Sequence, residues 1–186
     1  MQAREQNSKA NTSNIRLHAD QDQYLTFTLG AETYGIDILR VQEIRGWEAP
    51  TSLPNMPHYV KGVINMRGAV VPIVDMRERF NIGEPVYDET TVVIITHVNH
   101  HVEGADHSTQ KTIGLVVDGV SDVHDVNLEE LQGAPSFGES NRVSEEYVRG
   151  LATLDEIMVI VLNIDLLANQ GIFREIQSFN PSAVKH

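Results

Sequence analysis

Two stretches of this chain carry one pattern: "GIDILRVQEI" at 35–44 and "GLVVDGVSDV" at 114–123. Gly35 falls on Gly114, Ile38 on Val117, Val41 on Val120, Glu43 on Asp122 and Ile44 on Val123. A second match follows in the same order, "VKG" from Val60 and "VRG" from Val148. Each of these leads into a hairpin and then a strand that closes on Asp75 or Asp165. Two matches in one order point to an internal duplication, so the fold must be built from two similar units. Equivalent positions for Asp75 and Asp165 suit a turn or cap role better than paired acid catalysis.

The repeated unit reads as β structure. In "YLTFTLG", Leu25, Phe27 and Leu29 alternate with Thr26 and Thr28, the period of a half-buried strand. "TTVVIITHV" is a continuous apolar run, as expected of a strand covered on both faces. Pro50, Pro54 and Pro57 mark a connecting loop. "NHHVEGADHSTQK" at 99–111 reads as a hairpin loop, and "NLEELQ" as a short helix capped by Asn127. About ten short strands with only short helices give an all-β class, small barrels or a sandwich. We expect two similar barrels packed together with a groove between them. The first covers about 24–83 and the second about 84–168, with room for a strand to cross over. Residues 1–22 and 169–186 read as polar or weakly docked tails.

Charge narrows the partners. Residues 24–83 balance six basic against six acidic side chains, whereas 84–168 hold three basic and 16 acidic ones. That half would repel nucleic acid and anionic membrane surfaces. It keeps the protein soluble, and it can also favour a basic partner. Cysteine is absent, which removes disulfides, thiolate metal sites and cysteine nucleophiles. The opening residues hold no apolar run of the secretory kind, and no stretch reaches the roughly 18 apolar residues of a membrane helix. The expected location is the cytoplasm.

Catalytic motifs are missing: no GxSxG, no SxxK, no GxxxxGK[ST], no GxGxxG after a strand. His97, His100, His101 and His107 cluster in sequence with Glu103 and Asp106, a set whose chemistry suits zinc or nickel in a hydrolase. Neighbouring His100 and His101 would point to opposite faces of a strand, and no HExxH spacing supports a site. We expect no metal and no cofactor.

Arg67 lies in the tight turn "NMRG" between two apolar strands. From spacing alone it is either a solvated turn residue or a contact point. Gly62 and Gly68 flank that hairpin and read as backbone requirements, with Gly62 also able to admit a close partner. On the strand "ILRVQEI", alternation sets Ile38, Arg40, Gln42 and Ile44 against Leu39, Val41 and Glu43, with apolar residues on both faces. Phe137, in "APSFGES", either plugs a barrel or stands as an exposed anchor.

The segments "FTLGAETYGIDILRVQEIRGW", "LPNMPHYVKGVINMRGAVVPIVDMRERF", "GLVVDGVSDV" and "YVRGLATLDEIMVIVLNIDLL" closely resemble the CheW family of bacterial chemotaxis coupling proteins. The likeness runs from about Tyr24 to Leu167. It implies two five-stranded barrels of SH3-like topology and no catalysis. It also implies an adaptor that joins chemoreceptor cytoplasmic tips to the regulatory domain of the histidine kinase CheA. Such adaptors form arrays with other CheW copies, on the cytoplasmic side and without membrane insertion. By this resemblance the receptor contacts are Arg67 and the strand that carries Val41 and Glu43, with Ile44 and Ile38 either contacts or core; Gly62 joins them as a place of close approach, and Phe137, if exposed, is a candidate anchor for the kinase or a neighbouring CheW copy. A CheW-like adaptor serving motility or gene-expression control is the alternative. The stretch 99–111 is longer and richer in histidine than the family pattern leads one to expect.

Overall fold

The computed structural model describes residues 21–101, 104, 106–133 and 143–179. Ten strands dominate it: β1 (Gln21–Leu29), β2 (Glu32–Asp37), β3 (Val41–Gly46), β4 (Val60–Met66), β5 (Ala69–Asp75), β6 (Val92–His101), β7 (Ser108–Val117), β8 (Gly119–Asn127), β9 (Val148–Leu154) and β10 (Ile157–Leu162). Helices are short: α1 (Met76–Arg79), α2 (Ile164–Ala168) and α3 (Arg174–Phe179), with a π-helical turn (Asn169–Phe173) joining the last two.

The strands form two five-stranded sheets, ordered β3-β6-β7-β5-β4 and β8-β1-β2-β10-β9. We call them the first and second barrels. They superpose in topology. Hairpin β6–β7 takes the place of β1–β2, hairpin β4–β5 that of β9–β10, and edge strand β3 that of β8. The parallel contact in each falls on the repeated glycine, Gly114 opposite Ile73 and Gly35 opposite Val161.

This strand order corrects the expected division at residue 83. The duplication runs along the chain as hairpin, edge strand, hairpin, but the two halves exchange their first hairpins. The first barrel uses residues 41–117; the second uses 21–37 together with 119–162. The reason is linker length. Only the 3-10 turn Ile38–Arg40 separates β2 from β3, and only Asp118 separates β7 from β8. The chain therefore steps directly from one barrel into the other.

Ion pairs lock both crossings. Arg40 donates to Asp165 at 2.6 Å, and Asp165 also accepts from the Asn99 amide at 2.9 Å. At the other crossing Arg77 donates to both oxygens of Asp118 at 2.6 Å, and Asp118 accepts from the Gly30 amide. Asp75 is the N-cap of α1, accepting from the Glu78 amide. Its true counterpart is not Asp165 but Asn163, which caps α2 in the same way. Asp165 lies two positions further on, where the first barrel has Arg77, and so took up the crossing instead of the cap.

Each barrel closes through one bridge from the loop after its edge strand, Thr51 to Val63 and Gln132 to Leu151. Each has its own small core, Val71, Ile73, Val93, Ile95 and Val116 in the first, Tyr24, Val126, Ala152, Val159 and Val161 in the second. A larger shared core lies between them, including Phe27, Tyr34, Ile36, Met76, Phe80, Ile94, Leu115 and Leu167. The space between the barrels therefore holds packed side chains, and a partner can reach only its rims.

Three further expectations change. β1 begins at Gln21, inside the supposed tail, because Gln21 and Asp22 pair with Asn127 and Val126. The stretch 99–111 is mostly strand: β6 runs to His101 and β7 starts at Ser108, as a paired ribbon. The chain after Ala168 is not frayed through residue 179. Ile172 is fully buried, and Phe173 nearly so, because Leu167, Ala168, Ile172 and Phe173 share the inward side of a continuous helical path. Tyr59 and Tyr147, equivalent residues before β4 and β9, flank the Arg79 guanidinium at 5.5 and 5.7 Å, and Arg79 donates to the Gly171 carbonyl.

Candidate functional site: the edge and tip of the first barrel

The β4–β5 hairpin is joined by two residues, Arg67 and Gly68, with φ of 52° and 88°. Two positive φ values mark the tight turn whose twist matches paired strands. Asn65 braces it by accepting from the Gly68 amide at 3.0 Å. Glycine, asparagine or aspartate is the usual first residue of such a turn, glycine because it has no β-carbon to strain and the other two because a short polar side chain hydrogen-bonds locally. Arginine at that place projects an exposed guanidinium from a rigid tip. Val70, just beyond it, is 67% exposed.

Strand β3 forms the far edge of the same sheet. Its simple alternation does not hold. Ile38 and Arg40 belong to the 3-10 turn, initiated by Asp37 accepting from the Leu39 amide, and a register shift falls between Val41 and Glu43. The shift turns the strand so that Val41, Glu43 and Arg45 are half-buried while Gln42, Ile44 and Gly46 are exposed. Ile38 and Val41 pack on the shared core; Ile44 stands out, 44% exposed. Glu43 sits beside Arg45 at 3.8 Å. An edge strand with exposed apolar and charged side chains and an open backbone is a surface that other proteins can pair with.

The structure thus sorts the predicted contacts. Arg67, Ile44 and Glu43 reach the surface on one barrel. Ile38 and Val41 support it from beneath. Gly62 serves the fold: it is buried, has φ 145°, and a β-carbon there would lie 2.1 Å from the Thr51 carbonyl oxygen. The close approach that the glycine permits is that of the chain's own loop closing the barrel. Phe137 lies outside the described residues.

Sequence reading missed Leu39, 78% exposed at the crossing, because its place in an apparent strand suggested a covered side chain. It also missed the second barrel's tip. Asp155 and Glu156 occupy the β9–β10 turn with φ of 49° and 67°, followed by exposed Ile157 and Met158. Counting five residues on from Gly62 and from Gly150 in the repeat leads to Arg67 and Asp155 and would have revealed it.

Of the clustered histidines, His100 has partners within the fold. The Asn169 amide nitrogen donates to the carbonyls of Asn99 and Asp165, which leaves its oxygen to accept from His100 Nδ1 at 2.6 Å. The His100 and Phe173 rings meet in a T-shaped contact, and Lys111 lies over the Phe173 ring at 5.0 Å, its own pKa lowered by burial. The ribbon therefore clasps the C-terminal helical path. Among the described residues no three His, Asp or Glu side chains converge on a metal-sized site.

The CheW-like domain model matches residues 23–171, nearly the whole described chain. The chain belongs to the CheW family. Its relatives within the family include the chemotaxis protein CheW of Klebsiella aerogenes, 44% identical over 145 residues, which are 78% of this chain and 80% of that protein. The probable chemotaxis protein CheW of Rhizobium etli is 30% identical over 83% of this chain and 92% of its own length. The crystal structure of the scaffolding protein TtCheW from Thermoanaerobacter tengcongensis superposes with a TM-score of 0.66 at 27% identity, covering 79% of this chain and 87% of that one. Family and neighbour agree with the two-sheet architecture and with a chemotaxis coupling adaptor. No helix among the described residues is long and apolar enough to cross a membrane.

Proposed function

We propose that this chain is a non-enzymatic adaptor that couples a chemoreceptor's cytoplasmic tip to the regulatory domain of the kinase CheA. The receptor contact is assigned to the first barrel, at Arg67 and the β3 edge. The observation that carries it is the left-handed backbone at Arg67 on an exposed tip. A strained non-glycine residue with no partner among the described residues to reward it is a mark of a binding role. A guanidinium suits this role because its planar fork of donors can grip helix-end carbonyls or carboxylates in two places at once. Ile44 adds an apolar anchor beside the charge of Glu43, the mixture typical of a docking rim.

Two packed barrels held by a shared core behave as one rigid piece, so a displacement at one contact is felt at the other. Single contacts of micromolar strength, on the order of 8 kcal/mol, suffice when many copies act together in membrane-associated receptor arrays. The test is co-sedimentation of the protein with a receptor cytoplasmic fragment and CheA, with kinase activity measured. Receptor-dependent kinase activity should require this protein, and Arg67→Glu should abolish receptor capture while the melting curve stays in place. Near-normal capture by that variant would remove Arg67 from the site.

A further inference from the structure

The second barrel is open along the seam that the first barrel fills. A cleft of about 400 Å³ lies between the end of β8 and strand β9, walled by Asp125, Val126 and Glu130 on one side and by Leu151, Ala152 and Leu154 on the other. The matching space in the first barrel, among Arg45, Gly46, Ile64 and Val93, is about 20 Å³. Strand register explains the difference. Ile64 pairs with Val71 as Ala152 pairs with Val159, so Ala152 stands where the first barrel has isoleucine. Ile44 opposite Ile94 matches Val123 opposite Leu25, which places Val126 where the first barrel has Trp47. Trp47 and Ile64 pack against the first core, whereas the second has an isopropyl group and a methyl group at those places.

Three features describe what would fill the space. Relative to Trp47 and Ile64, Val126 and Ala152 lack the atoms of one large apolar side chain. The lining holds two carboxylates, Asp125 and Glu130, and no lysine or arginine. β8 pairs with β1 and β9 with β10; the other edge of β9 is bridged to Gln132 at Leu151, and past that bridge, at Thr153, it is left for an extended chain to pair with. Beyond Leu154 the wall continues into the strained Asp155–Glu156 turn and then Ile157 and Met158, 55% and 57% exposed. Between the carboxylates and the apolar groups lie the neutral Asn127, Gln132 and Thr153, and His124 stands 4.0 Å from Asp155; with no lysine or arginine in the lining, the cleft repels a polyanion and attracts a basic chain.

We propose that this cleft binds an extended, cationic segment of a partner protein. One bulky apolar side chain seats against Leu154 above the nearly buried floor of Val126 and Ala152, and lysine or arginine on either side meets Asp125 and Glu130. The site is on the opposite barrel from Arg67, so it stands or falls separately from the receptor contact.

The experiment titrates the full-length, isotope-labelled protein with the peptide acetyl-Lys-Thr-Lys-Trp-Lys-Thr-Lys-amide and follows backbone amide resonances. Saturable shifts centred on Asp125, Val126, Ala152 and Thr153 are expected. Replacing the peptide's tryptophan by alanine, or its lysines by glutamates, should weaken binding about tenfold or more. Refilling the cleft as in the first barrel, with Val126→Trp and Ala152→Ile, should remove it. Should that variant fail to fold, Asp125→Lys with Glu130→Lys changes only exposed positions and should give the same loss. Equal binding by the charge variants, equal binding of the glutamate peptide, or shifts confined to other surfaces would overturn the proposal. So would binding that emerges only after residues 1–20 are deleted, since that would assign the cleft to the chain's own segment.

Discussion

Arg67 and Asp155 hold one position in the two barrels, each the first residue of a two-residue hairpin turn with positive φ. Around them almost everything corresponds: the bridge that closes the seam, the glycine beneath it, the cap on the following helix. What differs is charge and filling. The first tip is basic and its seam is packed; the second is acidic and its seam is open. Duplicated backbones need not keep duplicated surfaces. Here the conserved half of the design is the part that closes each barrel, and the half that diverged is the part that faces solvent.

The largest test of that division is the glycine pair. A β-carbon at Gly62 would strike the Thr51 carbonyl in a left-handed backbone, whereas at Gly150 it would lie 2.8 Å from the Gln132 carbonyl oxygen with no such φ. Gly62→Ala should cost about 3 kcal/mol and Gly150→Ala about half that, read from urea midpoints at constant slope. Equal costs would mean that the two seams are closed with the same tightness.

Next come the crossings. Asp118→Ala removes a two-pronged partner from Arg77 and an acceptor from Gly30; Asp165→Ala removes partners from Arg40 and Asn99. Each should destabilise by about 1–2 kcal/mol, less than a fully buried pair because these side chains keep about a quarter of their exposure. The double variant should lose both amounts if the crossings act independently.

The tips give a smaller effect of opposite sign. Asparagine suits left-handed backbone better than arginine and about as well as aspartate, so Arg67→Asn should stabilise the protein by about 0.5 kcal/mol while Asp155→Asn leaves it nearly unchanged. Only the first should reduce receptor capture. If both do, the receptor surface extends across the two barrels.

The smallest effect is alkaline. Burial first, and then the hydrogen bond to Glu175, raise the Tyr59 phenol well above its ordinary value; burial and Asp75 do the same for Tyr87. The folded state therefore keeps these protons when the unfolded chain would release them. Stability from both is intact at neutral pH and falls as pH climbs above about 10, where the unfolded phenols ionise. Tyr59→Phe should flatten that fall partly, Tyr59→Phe with Tyr87→Phe further.

Much of the fold was legible because hydrophobic period and repeat spacing report local pairing. The β4–β5 hairpin, the buried run of β6 and the Asn127 cap follow from residues near one another in sequence. The exchange of hairpins does not. Nothing local to Tyr24 says that its strand pairs with His124 rather than with β3, because strand patterns describe a face and not a partner. The same limit applied at the site. Arg67 stood out as a charge in an apolar hairpin, while Leu39 was hidden by an alternation that a 3-10 turn interrupts, and the open seam became visible only when Val126 and Ala152 were set beside Trp47 and Ile64.

The exchanged hairpins also bear on how the molecule comes into being. During synthesis the strand beginning at Gln21 leaves the ribosome long before Asn127, its partner, has been made. Its apolar face must wait while an intervening barrel pairs its strands, which need no strand made earlier. The middle of the protein can therefore pair first, and the two ends complete the shared core together, so late-folding faults should fall more on the acidic barrel than on the one that carries Arg67.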